Sequence, residues 1–108
     1  MDSILGDSFM NGRRLRPATL DYALENYPRV VAWIKLGKFD VSAPRACDGN
    51  DVVEMRGRGS PVYHLVMVRR DFDKCVAIAK QMTIPLFPSD IEQDWFDRAS
   101  AYIRQSFA

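Results

Sequence analysis

Between Asp51 and Met82 the sequence leaves the backbone few choices. Val52, Val53, Glu54, Met55 and Arg56 run into Gly57-Arg58-Gly59-Ser60-Pro61, and Val62 to Arg69 (VYHLVMVR) run back out. Two apolar, β-branched runs joined by about five residues rich in Gly, Ser and Pro are the sequence form of a β-hairpin with a longer loop. Asp71 then stands where a helix N-cap belongs, and Phe72, Cys75, Val76, Ala79 and Met82 recur at the spacing of one helical face. The rest of the chain has to bury that hairpin and that helix.

In the second strand both phases are largely apolar, with Val62, Val66 and Val68 on one face and Tyr63, Leu65 and Met67 on the other. That pattern predicts a central strand covered on both sides. Two strands cannot supply such a setting, so a third is required. Phe39 to Ser42 and Thr83 to Phe87 are the candidates, with Pro85 confining the latter to an edge. The stretch from Ala43 to Asn50 (APRACDGN) is turn chemistry and reads as loop.

Helical patterns flank this centre. Thr19 is placed as an N-cap, and Leu20, Ala23, Leu24, Tyr27, Val30, Val31 and Ile34 follow a helical stripe. Pro28 interrupts it, and a proline in a helix interior costs about 3 kcal/mol. The expectation is therefore two short helices, Leu20 to Asn26 and a second with Pro28 in its first turn, closed by Gly37. Ser89-Asp90-Ile91-Glu92 has the form of a capping box. Behind it Ile91, Trp95, Phe96, Ala99, Tyr102, Ile103 and Phe107 line one side of a helix, with polar residues on the other.

The sum is an α+β fold: a small, mostly antiparallel sheet built on a central β-hairpin and packed by helices, in the order α-α-β-β-α-α with extra edge strands. A length of 108 residues suits a single domain over residues 1–108, with residues 1–17 read as a flexible arm. Hydrophobic content of 47% and charged content of 27% are those of an ordinary globular chain rather than a disordered or membrane one. No stretch approaches the roughly 18 apolar residues of a membrane span. The first residues lack the basic and apolar segments of a signal peptide, so the cytoplasm is the expected compartment.

Residues that carry chemistry are sparse. The single histidine, His64, sits mid-strand in phase with Val62 and Val66, and no spacing puts a nucleophile or carboxylate beside it. Cys47 and Cys75 form neither a CxxC nor a zinc spacing, and Asp48-Gly49-Asn50-Asp51 is too short for a calcium loop. Gly57-Arg58-Gly59 has neither a Walker nor a Rossmann spacing. The expectation is no enzyme, no cofactor and no metal.

Charge is distributed unevenly. Residues 11–70 hold eleven Lys or Arg against six acids, whereas residues 89–108 hold four acids against two arginines. Arg13, Arg14, Arg16, Lys35, Lys38, Arg56 and Arg58 could form one basic surface laid along a phosphate backbone, and Arg69-Arg70 before Asp71 has the makings of an anion site. Against nucleic acid stands a protein-contact reading. Val53 and Met55 are taken as residues of a sheet edge able to pair with another chain, and Trp33 adds aromatic surface of the kind interface centres favour. The first expectation is a small interaction module acting through protein contacts, with a partner protein or a second copy as a homodimer. A nucleic-acid-binding accessory or regulatory protein is the alternative.

Overall fold

The computed structural model describes residues 16–37, 39–47, 49–57, 64–85 and 92–108. Among these residues are three helices, α1 (Leu20–Leu36), α2 (Arg69–Gln81) and α3 (Glu92–Phe107), and four strands, β1 (Phe39–Val41), β2 (Arg45–Cys47), β3 (Asn50–Gly57) and β4 (His64–Val68). The class is α+β with an antiparallel sheet, in the order helix, four strands, two helices. The chain divides into two compact units, one taking in Lys38–Asp73 and the other Ala18–Gly37 with Lys74–Ala108.

In the sheet unit, β3 is the strand to which each of the other described strands pairs. On one side it pairs with β4, in a register that sets Val53 opposite Met67 and Met55 opposite Leu65. Directly opposed residues of an antiparallel pair share a face, so these four side chains lie together, and none is more than 3% exposed. Along its other side β3 pairs first with β2 (Arg45 with Val52, Cys47 with Asn50) and then with β1 (Val41 with Met55, Phe39 with Gly57). The central strand is thus β3, whereas the apolar pattern points to the second strand of the hairpin. Cover on both faces does not require neighbours on both edges. Val68 and Met67, on opposite faces of β4, are both buried although no described strand pairs with the outer edge of β4.

The third strand required by the hairpin is present at Phe39–Val41. Its other candidate fails where it can be followed: residues 83–85 form no strand, and residues 86 and 87 lie outside those described. The carbonyl of Thr83 instead accepts a hydrogen bond from the Trp95 indole N–H at 2.8 Å. A second correction concerns residues 43–50, expected as loop, which contain β2. Only two residues, Asp48 and Gly49, separate the paired Cys47 and Asn50, and Gly49 has a φ of 81°, a conformation that glycine reaches without steric cost. Asp-Gly is the strongest short hairpin signal; the surrounding Pro and Ala obscure it.

In the helical unit, α1 begins and ends as the local chemistry dictates. Thr19 Oγ1 accepts from the Tyr22 N–H at 3.2 Å, and Gly37, at φ 68°, closes the helix by donating its N–H to the Ile34 carbonyl. Between these caps the helix does not break. Pro28 lies inside it and deprives the Leu24 carbonyl of its usual donor, contrary to the expected split into two helices. The magnitudes explain the outcome. Tyr27, Val30 and Val31 are each no more than 1% exposed, and burying such side chains contributes about 1.5–3 kcal/mol apiece, which together exceeds the roughly 3 kcal/mol cost of the proline. A break at Pro28 would take that face out of register with α3, against which Tyr27 stacks on Phe107 with ring centroids 5.4 Å apart.

Helix α3 sorts its residues as its periodicity predicts. Trp95, Ala99 and Ile103 are buried, while Gln93, Asp94, Asp97, Arg98, Ala101 and Arg104 are exposed. The capping box that should start it, residues 89–91, lies outside the described residues. Its far end is held by Lys74 of α2, whose Nζ donates to the Ser106 carbonyl at 2.8 Å and sits 4.7 Å from the centre of the Phe107 ring. A cation there satisfies a carbonyl that the helix leaves without an internal donor and meets the negative end of its dipole. Helix α2 starts at Arg69, three residues earlier than an Asp71 cap implies. Asp71 is therefore inside its first turn rather than its cap, and only 1% exposed.

Candidate interaction surface

The accessible side of the sheet is the one that β1 and β2 form. Every residue from Asp40 to Ala46 is exposed, whereas Leu65, Met67 and Val68 of β4 are each 4% exposed or less. Val41, at 45%, is one of the two large hydrophobic side chains that stand out among the described residues; the other is Ile84.

The register fixes which side chains share this surface. Asp40 opposes Arg56, and Arg45 opposes Val52, so Asp40, Arg45, Glu54 and Arg56 all project from one face of the sheet. Glu54 and Arg56 form an ion pair at 3.7 Å, with the arginine side chain 69% exposed. Where α2 begins, the Arg69 Nε lies 3.7 Å from an Asp73 carboxylate oxygen, both side chains again in solvent. Pairs this exposed contribute only about 0–1 kcal/mol to stability. Their importance is electrostatic: among the described residues of the sheet unit, Arg56 and Arg69 each stand next to an acid.

The predicted site residues fare unequally. Arg13, Arg14, Lys38 and Arg58 lie outside the described residues. Arg16, Arg56, Arg69 and Arg70 are exposed, and Lys35 is half-buried. The anion site expected at Arg69-Arg70 has the Asp71 carboxylate in the same first helical turn and Asp73 against Arg69, so negative charge is already supplied to that end of the helix. Trp33 is half-buried on α1. Val53 and Met55, expected on a sheet edge, belong to β3, which is paired on both sides, and they are 3% and 0% exposed. The edge lies instead at Asp40, Val41 and Arg45. The alternation of Phe39-Asp40-Val41 and the Asp48-Gly49 dipeptide are the two signals in the sequence that point to it.

His64 opens β4 opposite Arg56, with its side chain outside the described residues. Cys47, half-buried at the end of β2, and Cys75, buried in α2, are both free thiols. Among the described residues no three His, Cys, Asp or Glu side chains are grouped so as to hold a metal ion, and no helix is long and apolar enough to cross a membrane. Comparison of the chain with protein-family models, with curated proteins and with solved structures gives no match.

Proposed function

We propose that the chain is a small binding module that works through protein–protein contacts made by side chains along the outer strand of its sheet. The observation that carries this reading is the mixture of charge on that surface. Asp40 and Glu54 share a face with Arg45 and Arg56. A phosphate backbone is a uniform anion and binds tightly where several cations act without acids among them. A protein surface carries both signs, and complementary placement of each is what gives such contacts their specificity. Val41 adds an accessible apolar side chain at the same edge.

Fluorescence anisotropy with labelled duplex DNA, single-stranded DNA and RNA tests the choice. At about 50 mM salt the chain is expected to bind none of them in the micromolar range. Micromolar binding that weakens on the order of a thousandfold by about 200 mM salt would overturn the protein-contact reading. It would also put the nucleic-acid alternative, with Arg56, Arg69 and Arg70 as its phosphate contacts, in its place.

A further inference from the structure

We propose that the exposed edge of the sheet is built to stay unpaired, so that a second copy of the chain cannot extend the sheet there. Three features meet at this edge. The first is in the register. Val41 opposes Met55 but Arg45 opposes Val52, so three residues on the outer strand span two on β3. One residue is extra, which makes β1 and β2 a single edge strand interrupted by a β-bulge at Ser42-Ala43-Pro44. A bulge bends and twists a strand locally and breaks the even row of donors and acceptors that an incoming strand needs.

The second feature is how the bulge is held. Ser42 donates its N–H to the Glu54 carbonyl at 2.9 Å, and its hydroxyl oxygen accepts the Glu54 N–H at 2.9 Å. A side chain thus satisfies a ladder position that the backbone leaves open, so the inner hydrogen bonds survive while the outer row is broken. The third feature is composition. Pro44 has no N–H to offer, and the charged Asp40 and Arg45 lie on either side of the bulge. The other outermost strand, β4 (HLVMV), contains no Lys, Arg, Asp, Glu, Pro or Gly, so these features are particular to the β1–β2 edge.

Sedimentation velocity of the full chain over a range of concentrations tests this, with circular dichroism to verify folding. Replacing Asp40, Pro44 and Arg45 together by Thr removes the charges and restores the missing N–H while keeping the bulge. Deleting Ala43 in that background removes the extra residue as well. Both variants are expected to associate at concentrations about tenfold or more below any association of the wild type, the deletion more strongly. If either fails to fold, Pro44→Thr alone decides, with a shift in the same direction. A folded variant whose mass follows that of the wild type at every concentration overturns the proposal. Either outcome leaves the protein-contact reading untouched, which the nucleic-acid titration decides separately.

Discussion

Helix α3 and strand β3 each line a core, and they come to do so by different routes. The helix sorts Trp95, Ala99 and Ile103 inward and Asp94, Asp97, Arg98 and Arg104 outward by a period written within its own sixteen residues. The strand holds its central place because three other segments, residues 39–41, 45–47 and 64–68, pair along its two sides. A helix closes its backbone hydrogen bonds internally; a strand closes none without a partner. Sequence patterns should therefore mislead mainly at strands, and here they do.

That contrast is tested hardest in the two cores. Trp95→Ala removes a side chain only 5% exposed together with its hydrogen bond to the Thr83 carbonyl, and should lower stability by about 3–5 kcal/mol in urea denaturation. Met55→Ala, at a fully buried position of β3, should lower it by about 2–5 kcal/mol. Hydrogen exchange adds a second readout. Loss of protection in the helices alone after Trp95→Ala, and in the sheet alone after Met55→Ala, would mean that the two units open separately; loss throughout would mean one cooperative transition.

A smaller effect of opposite sign is expected at Pro28. If packing along α1 sustains the helix against its proline, Pro28→Ala should stabilise the chain by about 1–3 kcal/mol, the regained backbone bond outweighing the lost ring contacts. A denaturation midpoint that falls would show that the proline ring itself is needed in the core. Smallest of the series is Lys74→Met, which keeps the aliphatic stem but removes the charge at the end of α3. A loss of about 1 kcal/mol is expected, with amide exchange accelerated in the last turn of α3 and unchanged in β3.

Much of the helical unit is legible in the residues alone. Thr19 and Gly37 have the chemistry of caps and act as caps, and the periodicity of α3 assigns its apolar positions to their correct face. The hairpin formed by β3 and β4 is legible too, because its strands are close in sequence. The interaction surface is not. Val53 and Met55 look like edge residues only until β1 and β2 are placed beside them. The same placement turns a scattered set of arginines into a surface where Arg56 meets Glu54 and faces Asp40.

Residues within about four positions of one another decide the two ends of α1, which face α3 turns inward, and that a hairpin precedes α2; this much is written in the chain. The energies involved are local, about 1 kcal/mol for a cap and a similar amount for a turn residue, and the residues responsible are adjacent. The rest belongs to tertiary structure. Packing carries α1 through Pro28, since several buried side chains outweigh one lost hydrogen bond. Pairing puts β3 at the centre and makes a strand of residues 45–47, since it joins segments whose separation the sequence does not encode. It also sets an extra residue at Ser42-Ala43-Pro44, a bulge that exists only in the mismatch between two registers on the same partner strand.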